Sequence, residues 1–304
     1  TPWSFEAWRG LLLLSELVGL FFICLTLTKL NKSPLWALIY WWNPMVILQF
    51  SNGLHVDAVL TMFLFIAIYL FWIDRPVLAC FPLLAAVGVK LWPIILLPFF
   101  LKFLWQKKIM FFGTAFAVTL GACLLASPLL LFQNADGSNG LETYSKLWQM
   151  NDGVYSLIHS LSWFITSGFV EEPVGAWRLA HGVARLLIVI VLITFIAYRF
   201  FHAPTEKNSL LSSMFWVTTL LFLLGPTVFP WYYPWALVFL VFMPRPSILV
   251  LTATLSLYYL RFYFAYWGQE VIYDSYLVWV QFIPVLVLFA IEQKRPLFKD
   301  LSAV

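Results

Sequence analysis

The chain has few charged residues for its length. Of its 304 residues, 11% are Asp, Glu, Lys or Arg, whereas a typical soluble domain carries about 25%. Because 62% of the residues are hydrophobic, the chain cannot cover a water-facing surface with polar side chains. This excludes a soluble globular protein and predicts one integral membrane domain over residues 1–304, all-α and polytopic, in a lipid bilayer.

Motifs for cofactors, nucleotides and nucleic acids are also missing. There is no Walker loop, no dinucleotide fingerprint and no Ser-His-Asp elbow, so we expect no cofactor and no ATP-driven chemistry. The chain lacks the basic patch that nucleic acid requires, so we expect no nucleic-acid partner. Cys24, Cys80 and Cys123 lie in apolar runs without metal-ligand or evident disulfide spacing, which indicates core packing.

Long apolar runs are what the sequence has instead. They are 8–30, 34–50, 56–73, 76–101, 109–132, 177–200, 209–228, 232–243, 247–265 and 275–291. Lysine and arginine collect in cytoplasmic loops, and most of the 18 in this chain lie on one predicted side. Most of the 14 acids lie on the other side or within the runs, which indicates a working surface on the outer face.

One run, 76–101, conflicts with this scheme because Arg75 and Lys102 flank it and both should be cytoplasmic. A lysine and a proline interrupt the run near its middle, and proline disfavours helical backbone at the residue before it. We therefore predict two half-helices, 76–89 and 93–101, that meet near the outer leaflet. The chain should then contain about eleven transmembrane or half-transmembrane helices.

The N-terminus and one long loop are both predicted to lie on the outer face. The scheme places Thr1 outside, which normally requires an earlier span, so we expect an upstream first span and loop. The longest polar segment is the outer loop 133–176, and connections of this length are usually functional. Within it, residues 155–165 are predicted to form a short interfacial helix.

A histidine and an aspartate stand where the run 56–73 begins, in SNGLHVDAVL. Ionisable residues at membrane depth are costly and mark functional sites, which favours His55 and Asp57 as catalytic residues on the extracytoplasmic side. The alternative is structural, because an acid at a helix N-terminus suits the helix dipole. Two potential ligands without a third do not predict a metal site.

Lys90 lies at the predicted helix break. A buried ammonium without a partner is costly, and a phosphate anion would provide one, with freed backbone N–H groups as further donors. The sequence thus predicts an anion site that suits a phosphate. The alternatives are a lysine that reaches the interface or an ion pair with an acid such as Glu16. Arg261, near Glu270 and Asp274, is a second candidate phosphate ligand or part of a solvated ion pair.

Aromatic and polar residues recur in the outer segments LWQMNDGVYS and GPTVFPWYYPWAL. Aromatic faces beside amide and carboxylate groups suit a sugar. The predicted sugar or acceptor residues are therefore Trp148, Asn151, Asp152, Trp231 and Tyr232. An interfacial aromatic belt would also explain the three aromatic residues, but it would not explain the amide and the acid.

Five short motifs follow one another along nearly the whole chain. They are Trp42-Asn43-Pro44, His55-Val56-Asp57-Ala58, Lys90-Leu91-Trp92-Pro93, Trp148-Gln149-Met150-Asn151 and Pro230-Trp231-Tyr232. Their order and spacing resemble the multi-spanning GT-C-type glycosyltransferases, in particular the polyprenol-phosphate-mannose-dependent mannosyltransferases of glycosyltransferase family eighty-seven and GPI-mannosyltransferase-like relatives. The chain departs from that pattern at Leu54, where glycine is common, and at Phe229, where histidine is common.

The resemblance implies transfer of a mannose-like hexose from a polyprenyl-phosphate-linked donor to a glycan or lipid acceptor. It implies a site on the extracytoplasmic face of the cytoplasmic membrane and a main carboxylate base upstream of Thr1. Two other functions stay open, a transporter or flippase for lipid-linked or small solutes and a non-catalytic subunit of a glycan assembly complex. Transporters with broken helices commonly contain inverted repeats, and we find none in this sequence.

Overall fold

The fold was analysed in a computed structural model. It describes residues 4–131, 148–170 and 172–294. Regular structure in these ranges is helical, apart from one isolated bridge between Met150 and Thr227. The predicted all-α polytopic class is therefore confirmed. Of the predicted outer loop 133–176, residues 133–147 and Glu171 lie outside the described part of the chain.

The described ranges contain helices that we label α1 to α11. They are α1 Phe5–Lys29, α2 Asp57–Trp72, α3 Pro76–Val89, α4 Trp92–Leu104, α5 Lys108–Leu131, α6 Gly153–Thr166, α7 Pro173–His202, α8 Lys207–Leu224, α9 Pro234–Leu240, α10 Pro246–Tyr266 and α11 Glu270–Lys294. Six of these, α1, α5, α7, α8, α10 and α11, are long and apolar enough to cross a membrane, while α2, α3 and α4 are shorter apolar helices. The number of spans stays a prediction.

The helix break predicted near Lys90 is confirmed. α3 ends at Val89, Lys90 is extended with φ −149° and ψ 144°, and α4 begins at Trp92. Proline occupies the second position of α4, where a missing N–H removes no helical hydrogen bond. The lysine side chain is therefore presented at the junction of two helices.

The predicted run 34–50 is not one continuous helix. Its helix stops before Asn43, whose side chain accepts a hydrogen bond from the backbone N–H of Met45 at 3.0 Å. Pro44 then starts a new turn, and the backbone continues as the π-helical segment Ile47–Asn52. Asparagine caps the new helical turn and proline begins it, so the helix is interrupted although the apolar pattern continues through both residues.

α2 and α3 form an antiparallel hairpin that positions the candidate site. A short turn, Ile73–Arg75, joins them, and Asp74 adopts a positive φ of 63° there. Both helices bury small residues, among them Ala67 in α2 and Ala86 in α3, each 0% exposed, which permits close helix approach. The far ends of the two helices are consequently brought side by side.

The basic residues predicted to share one side of the membrane do gather at one end of the bundle. Lys207 forms an ion pair with Asp74 at 2.8 Å and donates to the carbonyl oxygen of Trp72 at 2.7 Å. Lys102 donates to the carbonyl oxygen of Ala203. The candidate site lies at the opposite ends of α2 and α3. Which end faces the cytoplasm stays a prediction.

Candidate active site at the helix break

A buried ion pair joins the start of α2 to the break after α3. Nζ of Lys90 lies 2.8 Å from each carboxylate oxygen of Asp57. The side chain of Asp57 is 1% exposed and that of Lys90 is 27% exposed. The sequence predicted both residues as site residues, and the antiparallel hairpin places them in direct contact.

Aromatic residues around the start of α9 complete the surroundings of this pair. The indole Nε1 of Trp235 donates to Oδ1 of Asp57 at 2.7 Å, so the buried carboxylate accepts three hydrogen bonds. Nζ of Lys90 lies 4.2 Å from the ring centroid of Tyr232 and 5.2 Å from that of Trp235. Partner charge, hydrogen bonds and ring faces together compensate the cost of removing both charges from water.

Glu16, the acid considered as a partner for Lys90, lies in a different cluster. It accepts a hydrogen bond from the hydroxyl of Tyr40 at 3.0 Å, and that hydroxyl also contacts Thr61 at 2.8 Å. The ion-pair alternative for Lys90 is thus realised with Asp57. In the predicted phosphate site, the amine of Lys90 would contact the phosphate while it remains paired with Asp57.

His55 lies in an aromatic stack beside the ion pair. Its ring stacks on Trp231 with a centroid distance of 4.5 Å and an interplanar angle of 12°. Trp231 stacks in turn on Phe229 at 4.4 Å and 15°. We call these stacked rings, together with Tyr232, which meets Phe229 edge-on, the aromatic wall. Trp231 and Tyr232 are the two members of it that were predicted to contact sugar.

The loop that carries His55 is held by its backbone. Leu54 adopts a positive φ of 55°, and its carbonyl oxygen accepts a hydrogen bond from Nε1 of Trp8 at 3.1 Å. Burial lowers the pKa of His55 below its ordinary value of 6.5, while Asp57 opposes this change. The neutral imidazole, which has a free lone pair, is consequently favoured near neutral pH.

Asn151 is fixed within the protein rather than open to a ligand. It is 2% exposed, has a positive φ of 57°, and donates to the carbonyl oxygen of Val228 at 2.7 Å. Its Oδ1 accepts from the hydroxyl of Tyr273 and from Nε2 of Gln281, each at 2.7 Å. A sugar would reach this amide only by replacing those bonds, so its predicted binding role stays a prediction.

Trp148 and Asp152 border the same outer segment. The ring of Trp148 is edge-on to Phe229 at 6.0 Å, and the residue is 47% exposed. Oδ2 of Asp152 accepts a hydrogen bond from Nε2 of Gln149 at 2.7 Å. Burial raises the pKa of Asp152 to about 7, and the hydrogen bond from Gln149 only partly opposes this change. Of the two, Trp148 offers the larger open surface.

Arg261 is held by a carboxylate of its own. Its Nε and one terminal nitrogen lie 2.8 and 3.0 Å from the two oxygens of Asp274. This is the ion-pair alternative from the sequence, with the guanidinium paired to Asp274. A role for Arg261 in phosphate binding stays a prediction.

Sequence reasoning missed Trp235, which contacts both members of the ion pair. Its ring also stacks on Tyr232 at 4.4 Å and on Trp92 at 4.9 Å. The available signal was its spacing three residues after Tyr232, which places both rings on one helical face. For a metal, the described ranges contain no cluster of three or more His, Cys, Asp or Glu residues.

Comparison with known families concerns the part of the chain that holds the ion pair. Residues 6–106 match the family model described as alpha-(1->6)-mannopyranosyltransferase, N-terminal domain. This part of the chain is therefore similar to a mannosyltransferase N-terminal domain. The matched region runs from α1 to just beyond α4 and includes His55, Asp57 and Lys90. The resemblance to membrane mannosyltransferases predicted from the motifs is thereby confirmed for this part of the chain.

The similarity to a mannosyltransferase family and the apolar helices together support mannosyl transfer by an integral membrane protein. The match covers about a third of the chain, and the segments that carry Trp148 and Trp231 follow it. No curated protein and no solved structure matches the chain.

Proposed function

We propose that the chain transfers a mannosyl group from a polyprenyl-phosphate-linked donor to a glycan or lipid acceptor. The site is the end of the bundle at Lys90, which we place on the extracytoplasmic side of the cytoplasmic membrane. The observation that carries the proposal is a cation held at a helix break, inside a mannosyltransferase domain and beneath an aromatic wall.

Lys90 is proposed to bind the donor phosphate. An ammonium group has three N–H donors, and two are directed to the oxygens of Asp57, which leaves the third for a phosphate oxygen. The side chain of Lys90 is 27% exposed and so reaches the surface of the protein, whereas Asp57 is closed off. Asp57 is therefore proposed as a positioning residue that fixes the amine.

The proposed reaction is a displacement at the anomeric carbon. The acceptor hydroxyl oxygen forms a bond to that carbon, and the bond from the carbon to the donor phosphate oxygen breaks. The electron pair leaves with polyprenyl phosphate, whose growing negative charge Lys90 stabilises. His55 accepts the hydroxyl proton, because its neutral ring is half-buried and not enclosed by hydrogen bonds as Asp57 is.

The aromatic wall is proposed to hold the sugar. The CH faces of a hexose pack against aromatic rings, and Trp148, Trp231 and Tyr232 are linked to one another through Phe229. Asp152 lies on the same outer segment as Trp148 and is proposed to accept hydrogen bonds from sugar hydroxyl groups.

The test is a transfer assay with purified chain, polyprenyl-phosphate mannose and a defined acceptor, without nucleotide. Lys90→Ala should lower kcat about 10²- to 10³-fold, as expected when a preorganised donor to the leaving group is removed. Lys207→Ala is the matched control, because it removes a lysine paired with aspartate at the same 2.8 Å from the opposite end of the bundle.

Three results would contradict the proposal in different ways. Full activity of Lys90→Ala would exclude the site, and transfer from a nucleotide sugar alone would exclude the donor class. Gradient-dependent movement of a solute in proteoliposomes, with no glycosidic bond formed, would favour a transporter.

A further inference from the structure

Three buried nitrogen atoms without a hydrogen-bond partner lie together between α6 and α7. They are Nε2 of His159, Nε2 of His181 and Nε of Arg185. The two imidazole rings are 4.0 Å apart, and Arg185 follows His181 by one helical turn on α7. Leaving one buried polar atom unsatisfied costs about 1–3 kcal/mol, so three in one place indicate a partner from outside the chain.

Tyr155 shows which kind of partner fits. Its hydroxyl lies 2.7 Å from Nδ1 of His181, and the guanidinium of Arg185 contacts the same hydroxyl. A guanidinium can only donate, so the hydroxyl accepts from Arg185 and donates its own proton to Nδ1. Neutral His181 then carries its proton on Nε2. Arg185 and His181 therefore present N–H groups rather than lone pairs, which favours an acceptor and not a metal cation.

The charge of Arg185 leads to the same conclusion. Its terminal nitrogen donates to the carbonyl oxygen of Trp148 at 3.2 Å, and no acid of the described residues forms an ion pair with it. His181 is 3% exposed, so the neighbourhood is largely withdrawn from water. A cation in such surroundings requires an anion, and here the imidazole of His181 adds a second donor beside it.

The depth of the cluster indicates what carries the anion. The segment 186–197, directly after Arg185, contains no charged residue, and its Leu186 and Ile193 are 59% and 61% exposed, as expected for side chains that face lipid. On α6, Phe164 is 82% exposed. Basic residues at such an apolar boundary lie at the level of the lipid headgroups, where phosphate is the available anion.

We propose that Arg185, His181 and His159 bind the phosphate group of a membrane lipid, at a site separate from Lys90. The phosphate oxygens accept hydrogen bonds from Nε of Arg185 and Nε2 of His181, and from Nε2 of His159 when the anion keeps that ring protonated. The acyl or prenyl chain lies against the exposed apolar side chains of α6 and α7. The site is linked to the aromatic wall through the bond from Arg185 to Trp148, but it does not depend on the transfer reaction.

The experiment measures lipid binding to the purified full chain in detergent by native mass spectrometry. Phosphatidic acid and diacylglycerol with the same acyl chains are the probes, since they differ only in the phosphate. We expect phosphatidic acid to bind and diacylglycerol not to bind at the same concentration. Arg185→Gln should weaken phosphatidic acid binding about tenfold or more, the loss expected for a charge-assisted hydrogen bond.

Arg178→Gln is the matched control, because it removes an exposed arginine from the same helix. An equal loss in both arginine variants, or none in Arg185→Gln, would overturn the proposal. His159→Gln, with a smaller expected loss, carries the test if Arg185→Gln does not fold. Inorganic phosphate is the third probe: failure to displace phosphatidic acid supports a lipid ligand, and displacement at equal concentration would overturn it in favour of free phosphate.

Discussion

The two ends of the bundle each contain a lysine–aspartate pair at 2.8 Å. In the first, Lys90 with Asp57, the carboxylate is 1% exposed, while in the second, Lys207 with Asp74, it is 77% exposed. Burial strengthens the attraction between the charges but makes each charge expensive if its partner is lost. Two ion pairs of equal length therefore contribute differently to stability, and the distance alone does not distinguish a buried site from a solvent-exposed ion pair.

The buried pair also has more contacts with neighbouring side chains than the exposed pair. Around Lys90 stand two aromatic rings and an indole N–H directed at the carboxylate. Lys207 adds a carbonyl contact to Trp72 at 2.7 Å and lies 5.8 Å from the centroid of the ring of the same residue. The buried pair is thus part of a network that holds it in one arrangement, which is what a binding site requires. The exposed pair has no comparable network in the described residues.

The largest effect should come from Asp57→Asn, which leaves the amine of Lys90 without its counter-charge. Removing one partner of a buried ion pair typically costs about 3–5 kcal/mol in the free energy of unfolding, and partial exposure of Lys90 places the expectation near the lower figure. Denaturant unfolding of the purified protein in detergent measures it. The double variant Asp57→Asn, Lys90→Met should recover part of the loss. A loss below about 1 kcal/mol in the single variant would make the two pairs equivalent.

Trp235→Phe tests the network rather than the charges. Phenylalanine retains an aromatic ring against Tyr232 but lacks the N–H that donates to Asp57. A hydrogen bond to a charged group contributes about 1.5–3 kcal/mol, so the free energy of unfolding should fall by that amount. In the background of Asp57→Asn the same change should cost clearly less. Equal costs in the two backgrounds would show that Trp235 acts by packing alone.

The helices and the break could be predicted from sequence because their causes are local. Apolar length predicts spans, and proline at Pro93 disfavours continuous helix whatever lies around it. The pairing of Asp57 with Lys90 was within reach too. They stand 16 residues before Ile73 and 15 residues after Arg75, so an antiparallel hairpin must align them.

Other contacts have no local signal. Trp235 reaches Asp57 across 178 positions of the chain, and the cluster of His159, His181 and Arg185 depends on how α6 packs on α7. Asn151 was predicted to bind sugar because its amide is unusual in an aromatic segment. Its bonds to Tyr273 and Gln281, which come from a helix far along the chain, are invisible to sequence spacing.

Asp152 extends the comparison to a half-buried acid to which no cation of the described residues bonds directly. Its pKa is raised from 3.8 to about 7, chiefly by burial. Because the unfolded chain releases this proton near pH 4 and the folded protein near pH 7, stability should fall as pH rises between these values and then level off. Thermal unfolding of wild type and Asp152→Asn from pH 4 to pH 8 measures this. The variant should gain relative stability at pH 8, and a parallel pH profile would contradict the assignment.

The smallest effect should follow from Lys207→Ala at the opposite end. Asp74 remains solvated when its partner is removed, so no buried charge is left, and exposed ion pairs contribute about 0–1 kcal/mol. Denaturant unfolding at low and high salt separates the two ends, because screening acts on exposed charges far more than on buried ones. The small loss should vanish at high salt, whereas the loss in Asp57→Asn should persist. A large, salt-resistant loss of unfolding free energy in Lys207→Ala would contradict this comparison. It would mean that burial of the carboxylate does not decide how much a lysine–aspartate pair contributes to stability.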